Sequence, residues 1–195
     1  MSKRIALLSF AAFSTLMISA SFLEPATAKM MKGENTVMVG GAPMYPSKNI
    51  VENAVNSKDH TTLVAAVKAA GLVDTLKSAG PFTVFAPTNA AFEKLPAGTV
   101  DKLVMPSMKK QLTEILTYHV VPGKLTAADL KAMAMKNGGM ATLKTVEGDT
   151  LTVQEKMGKW VVVDQAGNSA VIQTADVLQA NGVVHVVDAV LMPKM

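Results

Sequence analysis

The chain has 195 residues, a formal charge of +4 at pH 7, 49% hydrophobic residues and no cysteine. Without cysteine there are no disulfides, no thiolate nucleophile and no thiolate metal site, so packing alone must hold the fold. Arg4 is the single arginine. The remaining basic residues are lysines, hydrated point charges poorly suited to bidentate phosphate and base-edge contacts. The charge argues against nucleic acid and suits solubility or loose attraction to anionic surfaces and polysaccharides.

Residues 1–28 read as an export signal. Lys3 and Arg4 precede an apolar run from Ile5 to Phe13, continued by Leu16, Met17 and Ile18, and Ala26-Thr27-Ala28 is a small-x-small cleavage site. Serines and Glu24-Pro25 interrupt the run, which is short for a membrane span. Cleavage leaves 195 − 28 = 167 residues with 17 basic and 14 acidic side chains, net +3, and no transmembrane anchor. The protein is therefore expected in the periplasm or outside the cell.

Residues 29–46 read as a flexible linker, broken by Gly40-Gly41-Ala42-Pro43 and Pro46. Met30, Met31, Met38 and Met44 fall within it. Thioethers are soft copper(I) ligands, but these lack a regular spacing and a neighbouring histidine, so a tail without specific ligands is expected. Ser47 or Asn49 caps a short helix to Asn56. Leu63, Val64, Val67 and Ala70 form a helical stripe closed by Gly71, and Leu72, Val73 and Leu76 mark another short helix. Phe82–Ala86 is a buried strand, after which Thr88 or Asn89 caps a helix carrying Phe92 and Leu95. A further turn holds Val100, Leu103 and Val104. Ser107 is placed to cap a helix with Leu112, Ile115 and Leu116 inside.

Tyr118–Val121 reads as a short strand. Thr126-Ala127-Ala128-Asp129 opens a helix with a capping box, ending at Asn137-Gly138-Gly139. Strands are predicted over Ala141–Val146, Thr150–Glu155, Lys159–Val163, Ala170–Thr174 and Val183–Leu191, with turns between them. Helices precede strands, giving an α+β domain with no internal repeat.

Sets of residues able to carry chemistry are sparse. His60 is expected at the surface beside a helix start. His119 and His185 lie in apolar strands, where a lone histidine is a hydrogen-bonded core residue. No His-x-His or His-x-x-x-His spacing is present, so neither a metal nor a cofactor is expected. There is no Gly-x-Ser-x-Gly, and Ser107, Ser169 and Thr88 have capping or turn roles. Glu147 and Asp149, or Asp176 and Asp188, lack flanking aromatics for a sugar substrate. Trp160 is the lone tryptophan. The chain is therefore not expected to be an enzyme.

Three segments carry a family likeness. Phe82-Thr83-Val84-Phe85-Ala86-Pro87-Thr88-Asn89-Ala90-Ala91-Phe92 resembles the first signature segment of fasciclin domains. Asn181-Gly182-Val183-Val184-His185-Val186-Val187-Asp188 with Leu191-Met192-Pro193 resembles the second, and Tyr118-His119 matches the tyrosine–histidine pair between them. The likeness covers residues 47–193. It implies a compact α+β wedge, with small twisted sheets and several short helices packed around them. Phe82, Val84, Phe85, Pro87, Thr88, Phe92, Gly182, Val184, His185 and Val187 would belong to its core. In similar matrix proteins, adhesion is linked to the tyrosine–histidine segment and to an Asp–Ile pair before the second segment. The resemblance therefore implies an interaction surface at Tyr118, His119, Asp176 and Val177, Val177 standing for the isoleucine. It further implies a secreted, non-catalytic module for cell adhesion or extracellular-matrix association, binding an extracellular protein or a polysaccharide of the cell surface. The alternative is a periplasmic small-ligand or copper(I)-handling protein, using the methionine-rich segment or a pocket by Trp160.

Overall fold

The computed structural model describes residues 35–194. The expected signal segment, Met30 and Met31 lie outside the described residues. The described part of the expected linker, residues 35–46, is not irregular. Strand β1 (Val37–Val39) pairs antiparallel with β2 (Ala42–Met44) across Gly40 and Gly41, whose φ angles are 58° and 76°. Two consecutive left-handed residues are what a tight hairpin turn requires, and glycine supplies them without strain. Val39 and Met44 face inward while Met38 is 61% exposed. Burial of one face is what orders a stretch whose glycines and prolines read as a break.

Helix α1 (Ile50–Ala54) starts with a reciprocal cap. The Asn49 side chain accepts from the Glu52 amide at 2.9 Å and the Glu52 carboxylate accepts from the Asn49 amide at 3.0 Å. Helix α2 (Thr61–Ala70) ends at Gly71, φ 75°, and α3 (Val73–Lys77) follows. Strand β3 (Phe82–Pro87) leads through the cap Thr88 into α4 (Asn89–Glu93), then α5 (Thr99–Leu103). Ser107 does not cap the next helix. It lies inside a 3₁₀ turn, Pro106–Met108, and α6 (Lys109–Tyr118) begins without a side-chain cap.

The period of Leu112, Ile115 and Leu116 carries through to Tyr118, and His119 is the helix C-cap. The strand expected from Tyr118 therefore begins later, as β4 (Val120–Pro122). Helix α7 (Ala127–Lys136) has the expected box of Thr126 and Asp129. Then come β5 (Met140–Lys144), β6 (Thr150–Lys156), β7 (Lys159–Val163), β8 (Ser169–Gln179) and β9 (Gly182–Val187). Strand β8 outruns its expected end because irregularities at Ile172/Thr174 and Thr174/Val177 let the pairing resume. Strand β9 stops at Val187, short of Leu191.

Seven strands form one sheet in the order β4-β3-β9-β8-β7-β6-β5. The two signature segments are its parallel pair, in register from Phe82 opposite Gly182 to Pro87 opposite Val187. Helices cover one face of β3, where Val84 and Ala86 meet Leu63, Val67, Leu112 and Ile115. Phe85, on the opposite face, joins Tyr118, Leu130, Leu151, Val153, Val162 and Leu191 in a second core. Strand β3 is thus buried on both faces, which is why it reads as an unbroken apolar run rather than an alternation. Beyond β5 the Val146 amide donates to the Val120 carbonyl at 2.8 Å, so the two ends of the sheet meet. The expected α+β architecture is what the chain adopts.

Candidate functional site

The polar side chains of the three signature segments do one common job: they fasten backbone. Thr83 is buried, and its hydroxyl donates to the Gly123 carbonyl at 2.7 Å and accepts from the Leu125 amide at 2.9 Å. The Thr88 hydroxyl accepts from the Ala91 amide at 3.3 Å, opening α4. Asn89 accepts from the Thr62 amide at 3.0 Å and donates to the Lys58 carbonyl at 2.8 Å, tying α4 to the start of α2. Asn181 accepts from the Ile50 amide at 3.0 Å and donates to the carbonyls of Leu76 and Ser78 at 2.8 and 2.9 Å.

Tyr118 and His119 act the same way. The Tyr118 hydroxyl donates to the Thr150 carbonyl at 3.0 Å and accepts from the Gln165 amide at 3.1 Å. His119 Nε2 lies 3.0 Å from the Leu191 amide, which must be the donor. Nε2 is therefore unprotonated, and Nδ1–H donates to the Ile115 carbonyl at 2.8 Å. Burial lowers the His119 pKa to about 4, against the opposing pull of the Ile115 carbonyl and the Asp164 charge. Asp164 holds the same terminal segment, accepting from the Met192 amide at 3.1 Å.

His185 joins the irregular stretch of β8 to the loop before α7. Its Nδ1 accepts from the Asp176 amide at 3.3 Å, so Nε2–H donates to the Leu125 carbonyl at 2.9 Å. The ring stacks on Phe85 with centroids 5.6 Å apart. Burial lowers its pKa too, opposed by the Leu125 carbonyl and the Asp176 charge. Asp176 itself has φ 57°, and its carboxylate accepts from the Ala127 amide, the first of α7, at 2.7 Å. Asp188 accepts from the Val171 amide at 2.7 Å and pairs with Lys94 at 3.2 Å.

These positions correct the expected interaction surface. Tyr118, His119 and Val177 are 0%, 2% and 2% exposed, core residues whose side chains present nothing to solvent. Asp176 is half-buried and holds a helix N-terminus. Of the expected core residues, Val84, Phe85, Pro87, Thr88, Phe92, Gly182, His185 and Val187 are buried, and Phe82 and Val184 are partly so. Gly182 has a reason to be glycine: a Cβ there would run into the Phe82 backbone.

His60 is a second correction. Expected at the surface, it is 4% exposed, with Nδ1 2.9 Å from the Ser57 hydroxyl. The Lys58 amide donates to the Gly40 carbonyl at 3.2 Å, so the β1–β2 turn docks on this segment and covers it. Sequence reading missed this because it assigned no structure to the hairpin.

Beside the Asp176 bend is a surface groove of about 290 Å³, with Trp160, Lys159, Ile172, Gln173, Ala175 and Ala127 in its walls. Trp160 is half-buried, its ring packed against the second core. Among the described residues no cluster of three or more histidines and carboxylates could hold a metal ion, and no helix is long and apolar enough to cross a membrane.

The family model for the fasciclin domain matches residues 58–193. The chain is 48% identical over 170 residues to protein sll1483 of Synechocystis, covering 87% of each. It is 36% identical over 207 residues to the immunogenic protein MPB70 of Mycobacterium bovis, covering 97% of this chain and 96% of that one. A solved FAS1 domain pair from the insect cell adhesion molecule fasciclin I shares the fold, with a TM-score of 0.67 at 22% identity over 76% of this chain and 52% of that one. By the family match and by the relatives it covers almost end to end, this chain belongs to the fasciclin domain family.

Proposed function

We propose that the chain is an exported, non-catalytic interaction module that attaches to an extracellular protein or a cell-surface polysaccharide. One observation carries this reading. The polar residues in and beside the signature segments that an enzyme would need free are committed to backbone groups: Tyr118, His119, Asp176, His185 and Asp188 each hold an amide or carbonyl. Such residues position strands and helices; they do not transfer protons to a substrate. The amino-terminal sequence supports export, and the fold is that of a molecule named for cell adhesion.

The attachment face then has to be built from what stays accessible near the bend in β8. The Trp160 groove supplies a small, mainly apolar surface, with Gln173 and Lys159 as its polar residues. The test coats microspheres with the mature chain and measures their retention on cells and on purified envelope polysaccharide. Trp160→Ala with Gln173→Ala should weaken retention by roughly 30-fold, the loss of an anchor worth ~2 kcal/mol, in a variant that melts lower than wild type but is still folded at the assay temperature by circular dichroism. Retention equal to wild type removes the groove from the proposal. Failure of the wild-type chain to attach to either surface removes adhesion itself.

A further inference from the structure

A second cavity, inside the molecule, has a different chemistry. It occupies about 90 Å³ between the β1–β2 hairpin, the first helices and β3. Val39, Met44, Val51, Val67 and Val84 are among its walls. A single water needs ~10–15 Å³ of such space, so there is room for several, yet water in a cavity needs two to four polar partners. These walls offer almost none, while leaving the space empty forfeits dispersion contacts over the whole lining.

Asn53, His119 and Gln179 also line it with their polar groups bonded elsewhere, and one polar residue stands apart. His60 is a wall of this cavity, and its Nε2, with only the Ala86 backbone near the ring, is among the described residues the one buried side-chain nitrogen or oxygen without a partner in good hydrogen-bond geometry. Buried polar atoms in native proteins are nearly always paired, so an unpaired one calls for a missing partner. Ser57 fixes the other ring nitrogen. Desolvation lowers the ring's pKa, with the Ala86 backbone and the Asp59 charge opposing, which favours a neutral ring in the cavity. The exposed residues Lys68, Thr75 and Val146 also border the space, giving it a rim at the surface.

We propose that this cavity binds a small, largely hydrocarbon molecule bearing one hydroxyl or carbonyl group, with the oxygen meeting His60 Nε2. A hydroxyl suits either tautomer, since it both donates and accepts. A charged group deep in the cavity is rejected, because the one lysine in the lining, Lys68, stands at the exposed rim. Val177 and Gln179 of β8 are among its walls, but it shares no lining residue with the Trp160 groove and does not depend on the adhesive reading.

The cavity is smaller than the ~150 Å³ that holds a benzene ring, so the probes are 2-propanol and propane, titrated into the full-length mature chain and followed by thermal melting and by nitrogen NMR of the histidine rings. 2-Propanol should raise Tm saturably, move the His60 Nε2 resonance, and bind about 2- to 10-fold more tightly than propane, the worth of one net hydrogen bond. His60→Leu should erase that preference while leaving propane binding intact. Val67→Phe, which fills the space, should abolish binding of both. Absence of a saturable shift with either probe, equal affinities in the wild-type chain, or an unmoved His60 Nε2 resonance at saturating 2-propanol overturns the proposal. The last two measurements need no variant to fold.

Discussion

Acidification should weaken the fold well before its carboxylates are protonated, and His119 sets the scale. In the folded chain this ring titrates near 4, against 6.5 for an unperturbed histidine. Between those values the unfolded chain binds a proton that the folded chain refuses. Stability from this group is therefore complete above about pH 6.5, falls as pH drops toward 4, and is flat below. That difference is worth on the order of 3 kcal/mol, at ~1.4 kcal/mol for each tenfold change in proton affinity. His60 and His185 are lowered in the same direction, so the slope near pH 5 should exceed the ~1.4 kcal/mol per pH unit of a single proton. Since small domains hold only ~5–15 kcal/mol, the loss is a large share of the total. Urea melts at intervals from pH 7.5 to 4.5 measure it. His119→Gln should lower stability at pH 7.5 and remove one proton from the slope. Equal stability at pH 7.5 and 4.5, or an unaltered slope in His119→Gln, would refute the buried neutral ring and the Leu191 bond it makes.

Three other substitutions test the fasteners. Gly182→Ala should push β9 away from Phe82 and lower stability by about 3 kcal/mol, roughly 6–12 °C in Tm, as read by calorimetry; a Tm within about 2 °C of wild type would contradict the parallel register. Tyr118→Phe leaves the Gln165 amide and the Thr150 carbonyl without their partner and should cost about 1–3 kcal/mol in urea unfolding, with microsphere attachment unchanged. Asp176→Asn keeps an acceptor for the Ala127 amide and tolerates φ 57°, whereas Asp176→Ala removes both advantages; the alanine variant should be the less stable by about 1–2 kcal/mol.

The architecture was largely legible because its signals are local. The Thr126–Asp129 box, the Gly71 stop and the apolar runs at Phe82 and Val183 each specify an element from a few neighbouring residues. Two errors came from reading beyond what local pattern carries. Tyr-His-Val-Val suits a strand or the last turn of a helix, and packing of Leu112, Ile115 and Leu116 decided for the helix. Gly40-Gly41 suits a linker or a hairpin turn, and burial of Val39 and Met44 decided for the hairpin. The site was less legible for a related reason. Short polar residues between apolar ones look the same whether they face solvent or tie down distant backbone, and the partners of His119 and Asp176 lie 72 and 49 positions away. Trp160 stood alone in the sequence; only folding brings α7 and β8 beside it.

The parallel pairing of β3 with β9 also sets a schedule for the growing chain. Gly182 stands opposite Phe82, so 182 − 82 = 100 residues must be made after Phe82 before its partner exists. At ~5–20 residues per second that is about 5–20 s during which one edge of β3 waits unpaired. The amino-terminal helices can form in that interval, but their core is not sealed until the final strand arrives. A nascent chain stalled or clipped before Gly182 would present an open edge of β3 to its neighbours, the kind of edge that pairs with other chains.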